Sequence, residues 1–287
     1  EGRGPMQIYL DHLQQVLDHG IHREDRTGVG TVSLFGLQAR YRMADGFPAV
    51  TTKRLVWKSM LSELLWFVSG SGNINDLKTI YPHNKLWDGN YQDYLRRLGI
   101  GENDDENDGD MGRTYGVQWR HWQGRDGNRD QLQETIERIR TDPSSRRLLV
   151  NAWNAAEVGP QDVALPPCHT FFQFYVADGR LSLQLYQRSC DMFLGVPLNI
   201  ASYSILLHMV AKVTGLIPHE FVHTLGDAHI YMNHFDAVRE QLTRDPLPLP
   251  RLEIRDRGQE QIDDFVYDDF ELIDYECHAP IRADMAV

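Results

Sequence analysis

Apolar residues recur at helical spacing over Gln7–His19 and the run stops at Gly20, which predicts an opening helix. Gly28–Gly30 reads as a turn, and Thr31–Met43 alternates apolar and polar like a strand. Val56–Ser69 is an apolar helix that carries one acid, Glu63, directly before Leu64-Leu65-Trp66-Phe67. Ile74–Ile80 and Tyr91–Leu98 are short helices on either side of Trp87, and Gln131–Arg140 is a helix stopped by Asp142-Pro143. Arg147–Trp153 is a short apolar strand. Thr170–Val176 and Leu181–Arg188 form a hairpin around Asp178-Gly179. Leu198–Ile217 is the most apolar long stretch, but His208 and Lys212 interrupt it and Pro218 follows, so it reads as a buried core helix rather than a membrane span. Phe221–Leu225 is a strand, Tyr231–Leu242 a helix and Phe270–Ile273 a late strand. Helices and strands mix without regular βαβ alternation, which predicts an α+β fold, a mixed β-sheet covered by helices. Neither a repeat nor a low-complexity linker divides the chain. A single domain is expected over residues 6–287, with Glu1–Pro5 (EGRGP) read as a cleavage scar.

Composition narrows the function. A hydrophobic content of 41% with 10% aromatics supports a packed core. The net charge of -12 excludes a general nucleic-acid surface, which needs a basic face. The acids concentrated in Gly101–Asp110 (GENDDENDGD) lack the ordered spacing of a calcium loop and read as a solvated loop, so no metal is expected. Cys168, Cys190 and Cys277 form no CxxC pair, which argues against a disulfide framework or zinc knuckle and for a reducing, cytoplasmic compartment.

The chemistry concentrates around Pro166-Pro167-Cys168-His169. The prolines fix backbone angles and withhold amide donors, so Cys168 sits where a rigid corner enters a strand. A lone cysteine is usually a small buried hydrophobe. Here the next strand ends in Gln187-Arg188-Ser189-Cys190-Asp191, bringing a guanidinium, a hydroxyl and a carboxylate to the same edge. Other polar residues fit their surroundings poorly: Arg26, Glu63, Arg146, Arg147, Asn199 and His229. An acid embedded in an apolar helix has a raised pKa and relays protons near neutrality. Several arginines in an acidic protein point to a focused anion site, because their forks match phosphate oxygens. Asn199, after Pro197, reads first as the cap that opens the core helix; its amide also offers the donor and acceptor that pair with a pyrimidine edge. His229 and Tyr231 project from a GDAHIY turn. Together these suit covalent chemistry on a nucleotide monophosphate.

The motifs that carry these residues are long and ordered: DRTGVGT (Asp25–Thr31), ELLWF (Glu63–Phe67), YGVQWR (Tyr115–Arg120), DPSSRRLLVNAWN (Asp142–Asn154), LPPCHTFFQFYV (Leu165–Val176), QLYQRSCDMFLGVPLNIASY (Gln184–Tyr203) and GDAHIYMNH (Gly226–His234). From about Met6 to Ala286-Val287 the chain resembles the thymidylate synthase family. The resemblance implies that Cys168 adds to C6 of dUMP. It implies that Arg26, Arg188 and Ser189 hold the phosphate, joined by Arg146 and Arg147 from the other subunit of an obligate homodimer. Asn199 would read the uracil edge, and His229 and Tyr231 would meet the sugar 3'-hydroxyl. Glu63 would act on O4 through water and Asn199, with Tyr115 and His169 in support. Asp191, Trp87, Leu194, Gly195 and the C-terminal Ala286 would contact the co-substrate 5,10-methylenetetrahydrofolate, and Lys53 would attract its glutamate tail. A guanidinium beside Cys168 is expected to stabilise its thiolate. Neither a membrane nor a nucleic acid is implied.

Some positions depart from the family's habit. Leu198 stands where phenylalanine is usual, Asn90 where many members carry a second tryptophan, and Arg113-Thr114 where Pro-Val is common. The stretch Lys78–Lys85 and the acidic loop vary as well. The nearest alternative is a dUMP hydroxymethylase, in which water quenches the reaction that a hydride otherwise completes. A cytosine-specific relative is disfavoured, because it is expected to carry an acid in place of Asn199. A non-catalytic nucleotide- or RNA-binding protein and a thiol hydrolase are weaker alternatives.

Overall fold

Six strands in the order β1-β2-β8-β7-β6-β5 form one mixed sheet, with helices packed on one of its faces. The computed structural model describes residues 4–101 and 107–284. Glu1–Arg3 of the expected scar, residues 102–106 of the acidic stretch and Ala286 lie outside the described residues. In chain order the elements are α1 (Gln7–His19), β1 (Ile21–Arg23), β2 (Thr31–Arg42), α2 (Trp57–Ser69), α3 (Ile74–Ile80), α4 (Asp88–Leu98), α5 (Tyr115–Arg120), β3 (Trp122–Gly124), β4 (Gly127–Arg129) and α6 (Gln131–Thr141). There follow β5 (Leu149–Asn151), β6 (His169–Ala177), β7 (Arg180–Asp191), α7 (Gly195–Thr214), β8 (Ile217–Tyr231), α8 (Phe235–Leu242), β9 (Arg251–Ile254) and β10 (Phe270–Ile273). The β7–β8 pairing is parallel and the other pairings of this sheet are antiparallel, so the mixed α+β architecture is as expected.

The core forms where the inward residues of the sheet meet the helices. Leu181, Leu183 and Leu185 of β7, Phe221 of β8 and Phe172 and Phe174 of β6 are fully buried. Their period of two is what a sheet with one covered face requires. Helix α7 packs across β7 and β8. It is the one helix among the described residues long and apolar enough to cross a membrane, and 83% of its apolar window is buried inside the fold, which makes it the core helix. Among the described residues no helix covers the opposite sheet face. There Gln38 and Gln184 both donate to Thr224 Oγ1, Arg40 pairs with Glu220 at 2.7 Å, and Tyr175 stays exposed.

Of the boundaries that differ from the expected ones, two bear on the site, each for a local reason. Helix α7 opens at Gly195, not at Leu198, so Asn199 lies within the helix and is not its cap. Asp191 Oδ1 accepts the amides of Phe193 and Leu194 just ahead of the helix, and Pro197 falls in the first turn, where no amide donor is missed. Strand β8 runs on through Gly226 to Tyr231, so His229 and Tyr231 belong to a strand and not to a turn, and Tyr231 precedes α8. A Cβ on Gly226 would meet Arg188 O at 2.9 Å. That glycine therefore serves the close approach of two strand backbones, not a reversal of the chain.

Candidate active site

The end of β7 organises the site. The amide of Arg188 donates to Cys168 O at 2.9 Å, while its guanidinium donates to Pro167 O at 2.8 Å and Pro166 O at 3.0 Å. One arginine thus fastens the whole proline corner to the strand. On the other side the Tyr115 hydroxyl accepts the amides of Cys168 at 2.7 Å and His169 at 3.3 Å. A register shift between His169 and Phe171 in the β6–β7 ladder marks where the corner joins the sheet.

Burial pushes the Cys168 thiol above its ordinary range. The positive charge of Arg188, hydrogen bonds with Tyr115 and Ser189, and the charge of Arg26 pull it back without cancelling the effect. The expectation that Arg188 favours thiolate is right in sign, and burial outweighs it. Beside the thiol, the His169 ring meets the Tyr203 hydroxyl at 3.1 Å through Nδ1. Burial lowers the pKa of His169 to about 3, against a hydrogen bond with Asn199 that raises it, so this imidazole is neutral.

Glu63 sits in an aromatic wall. Trp87 Nε1 donates to its Oε2 at 2.8 Å, and the rings of Trp87, Phe67 and Tyr115 meet one another edge-on or tilted. Burial raises its carboxyl to about 7, only partly offset by the Trp87 bond. An acid in that range both gives and takes a proton near neutrality.

The end of β7 contributes to two depressions, Ser189 to a polar one and Asp191 to an apolar one. The polar one, of about 250 Å³, is lined by Arg23, Arg26, Ser189, His229 and Tyr231, together with acidic neighbours. Its loop is folded by Asp25, whose carboxylate accepts from the Thr27 hydroxyl and amide and from the Gly30 amide. Gly28 and Gly30 there hold positive φ of 74° and 83°, which explains the glycines of the DRTGVGT motif. His229 Nδ1 is held by Asp227 Oδ1 at 3.2 Å, and Arg23 pairs with the same carboxylate. The apolar depression, of about 270 Å³, is lined by Lys53, Asp191, Leu194, Gly195, Leu198 and Ile281, among others.

The expected residues fall into place unevenly. Arg26, Ser189, His229 and Tyr231 share the polar depression, and Lys53, Asp191, Leu194 and Gly195 share the apolar one. Trp87 meets Glu63. Arg188 lines neither depression, and its guanidinium is turned to the proline carbonyls. Lys53 is buried, its ammonium donating to Phe193 O at 2.6 Å and lying over the Phe193 ring. Burial lowers its pKa to about 8 against the charge of Asp191, so Arg54 is the freer cation of that groove. Arg146 and Arg147 are exposed just before β5. Of the departures from the family's habit, Leu198 lines the groove, whereas Arg113 pairs with Glu157 at 2.6 Å and Asn90 lies on α4. Sequence reasoning missed Arg23, Arg54, Gln187 and His223. The last two had a signal: each is a polar residue on the inward, apolar face of its strand, Leu181-Leu183-Leu185-Gln187 and Phe221-His223-Leu225.

A family model described as thymidylate synthase matches residues 7–287, and the chain belongs to that family.

Glu63 makes the stability of the fold depend on pH. Its folded value lies above the ordinary 4.5, so its contribution is fully present below pH 4.5 and is lost as pH rises through about 7. Relative to Glu63→Gln, the native protein is expected to lose on the order of 3 kcal/mol across that window in denaturant titrations. Parallel stability curves for the two proteins would contradict a buried, protonated carboxyl.

Proposed function

We propose that this member of the thymidylate synthase family is a thymidylate synthase, converting dUMP to dTMP with 5,10-methylenetetrahydrofolate. The observation that carries this reading is that the end of one strand contributes Ser189 to an arginine-bearing polar depression and Asp191 to an apolar groove, while Arg188 of the same strand end is hydrogen-bonded to Cys168. A nucleotide phosphate suits Arg26, Arg23 and Ser189, and a sugar hydroxyl suits His229 and Tyr231. Asn199 then faces the pyrimidine edge. A pterin and its aromatic extension suit the groove: Leu194, Leu198 and Ile281 offer apolar walls, and the Asp191 carboxylate accepts ring N–H groups. When bound, the folate supplies the one-carbon unit and the hydride.

The residues of this chain do the rest. Cys168 Sγ, once deprotonated, forms a bond to C6 of the pyrimidine, and the negative charge that develops at O4 is met by Asn199 and the Glu63 proton. Glu63, near 7, returns and accepts protons as the ring gains and loses charge. The thiolate leaves C6 when the double bond of the product re-forms. Trp87 and the C-terminal segment, whose Ile281 lines the groove, exclude water from the reacting carbon.

The second reading, a dUMP hydroxymethylase, is favoured by Leu198, a smaller wall than phenylalanine in the folate groove. Product analysis separates the two. With dUMP and the folate, dTMP and dihydrofolate in equal amounts are expected; 5-hydroxymethyl-dUMP with tetrahydrofolate would overturn the synthase reading.

The same reading makes the protein a homodimer. The helix-free sheet face, with Tyr175 at 68% exposure and a shallow hollow of about 330 Å³ around Arg40 and Gln184, is the surface a second copy would cover. Arg146 and Arg147 would then reach the neighbouring phosphate site. Sedimentation under assay conditions is expected to give a dimer, and a monomer that turns over dUMP would refute the arrangement.

A further inference from the structure

Behind Asn199 runs a chain of side-chain hydrogen bonds with a single direction. Gln187 Nε2 donates to Ser189 O at 3.1 Å and to Asn199 Oδ1 at 3.0 Å. A backbone carbonyl only accepts, so the nitrogen of Gln187 is the end that faces Ser189. Its oxygen is then the end that meets His223 Nε2 at 2.8 Å, and that ring nitrogen must carry the proton. The other ring nitrogen, Nδ1, is buried without a partner. A proton there would orphan a donor and set two acceptors against each other across the Gln187 contact. Burial pushes His223 down to about 3, and the nearby His169 and His12 add to this, so the ring is neutral and has one proton to place.

We propose that His223 is a positioning residue that fixes the polarity of the Asn199 amide, and thereby makes the site accept uracil and reject cytosine. The inference rests on the pyrimidine-nucleotide reading above. With Oδ1 turned to Gln187, one lone pair of that oxygen remains for a ring N–H, and the Asn199 nitrogen remains for a ring carbonyl. Uracil presents that pair at N3 and O4. Cytosine presents the reverse, an acceptor at N3 and a donor at N4. To serve cytosine, Asn199 would have to turn its NH2 onto the NH2 of Gln187. Gln187 cannot turn to match, because Ser189 O and the His223 N–H hold both ends of its amide. His223 is 1% exposed, so solvent supplies no substitute donor. Rejection of the wrong base is therefore built from an unpaired donor against it, not from a clash of shape.

The test is the ratio of dissociation constants for dCMP and dUMP, by calorimetry on the full chain, with kcat/KM for dUMP alongside. His223→Phe keeps a ring and removes the donor; its ratio is expected to fall by about tenfold or more, as one directed hydrogen bond is worth. His223→Gln restores a donor at the same position and is expected to recover most of the native ratio. If His223→Phe does not fold, Gln187→Met makes the same cut one link nearer the base and is expected to show the same loss. A folded His223→Phe or Gln187→Met with the native ratio overturns the proposal, whatever happens to its melting temperature. A native protein that binds neither nucleotide overturns the pyrimidine reading itself; one that binds dUMP while both variants keep their selectivity overturns only the role of His223.

Discussion

The proline corner at Pro166–Cys168 has too few hydrogen-bonding groups of its own to hold still, and the site depends on how that deficit is met. Two consecutive prolines offer carbonyls and no amides. Arg188 donates to both of those carbonyls from its side chain and to Cys168 from its backbone. Tyr115, buried under Phe67 and Trp87, accepts the two amides that follow. Polar groups left unpaired at such depth would each cost about 1–3 kcal/mol. The corner therefore has one low-energy position, and that position holds the thiol beside Arg188 and Ser189. The parallel pairing of β7 with β8 completes the arrangement. It lines Ser189 up with Asp227 and Asp191 with His229, so these side chains converge on the same strand end.

Burial governs the proton inventory of this site. It raises Cys168, raises Glu63 to about 7 and lowers His169 to about 3, so near neutrality the thiol is protonated and the imidazole uncharged. Arg188 acts on the thiol in the opposite sense without prevailing. The Cys168 thiol is therefore held in its protonated form, and the Glu63 carboxyl is the group of the site that titrates near neutrality. A neutral His169 bonded to Tyr203 serves as scaffold for Asn199, not as a base for its chain neighbour, which agrees with the opposite directions of adjacent strand side chains.

Much of this was legible in the sequence. The helices at Gln7–His19 and Ile74–Ile80 and the strand at Phe270–Ile273 follow from periodicity and flanking residues and match the structure residue for residue. Glu63 and Arg26 were legible as polar groups out of keeping with their local pattern, Cys168 from the proline corner and Ser189 from the end of the strand that follows it. What was not legible depends on contacts between distant segments. Gly226 reads as a turn until the backbone of Arg188 is seen against it. Pro197 reads as a helix boundary until Asp191 is seen to satisfy the amides ahead of it. Lys53 is expected to attract a glutamate tail, and that its ammonium lies buried over the Phe193 ring depends on a segment distant in sequence. The net state of the Cys168 thiol is a contest between burial and one guanidinium, and a sequence names the guanidinium without giving the burial.

The most direct test is whether Cys168 forms a carbon–sulfur bond to a pyrimidine nucleotide. The native protein, incubated with 5-fluoro-dUMP and 5,10-methylenetetrahydrofolate, is digested and its peptides are weighed by mass spectrometry. The account predicts an adduct of nucleotide and folate on the peptide that contains Cys168, absent from Cys168→Ala. Binding of both ligands with no covalent species on that peptide, or an adduct on Cys190 or Cys277 instead, would contradict it.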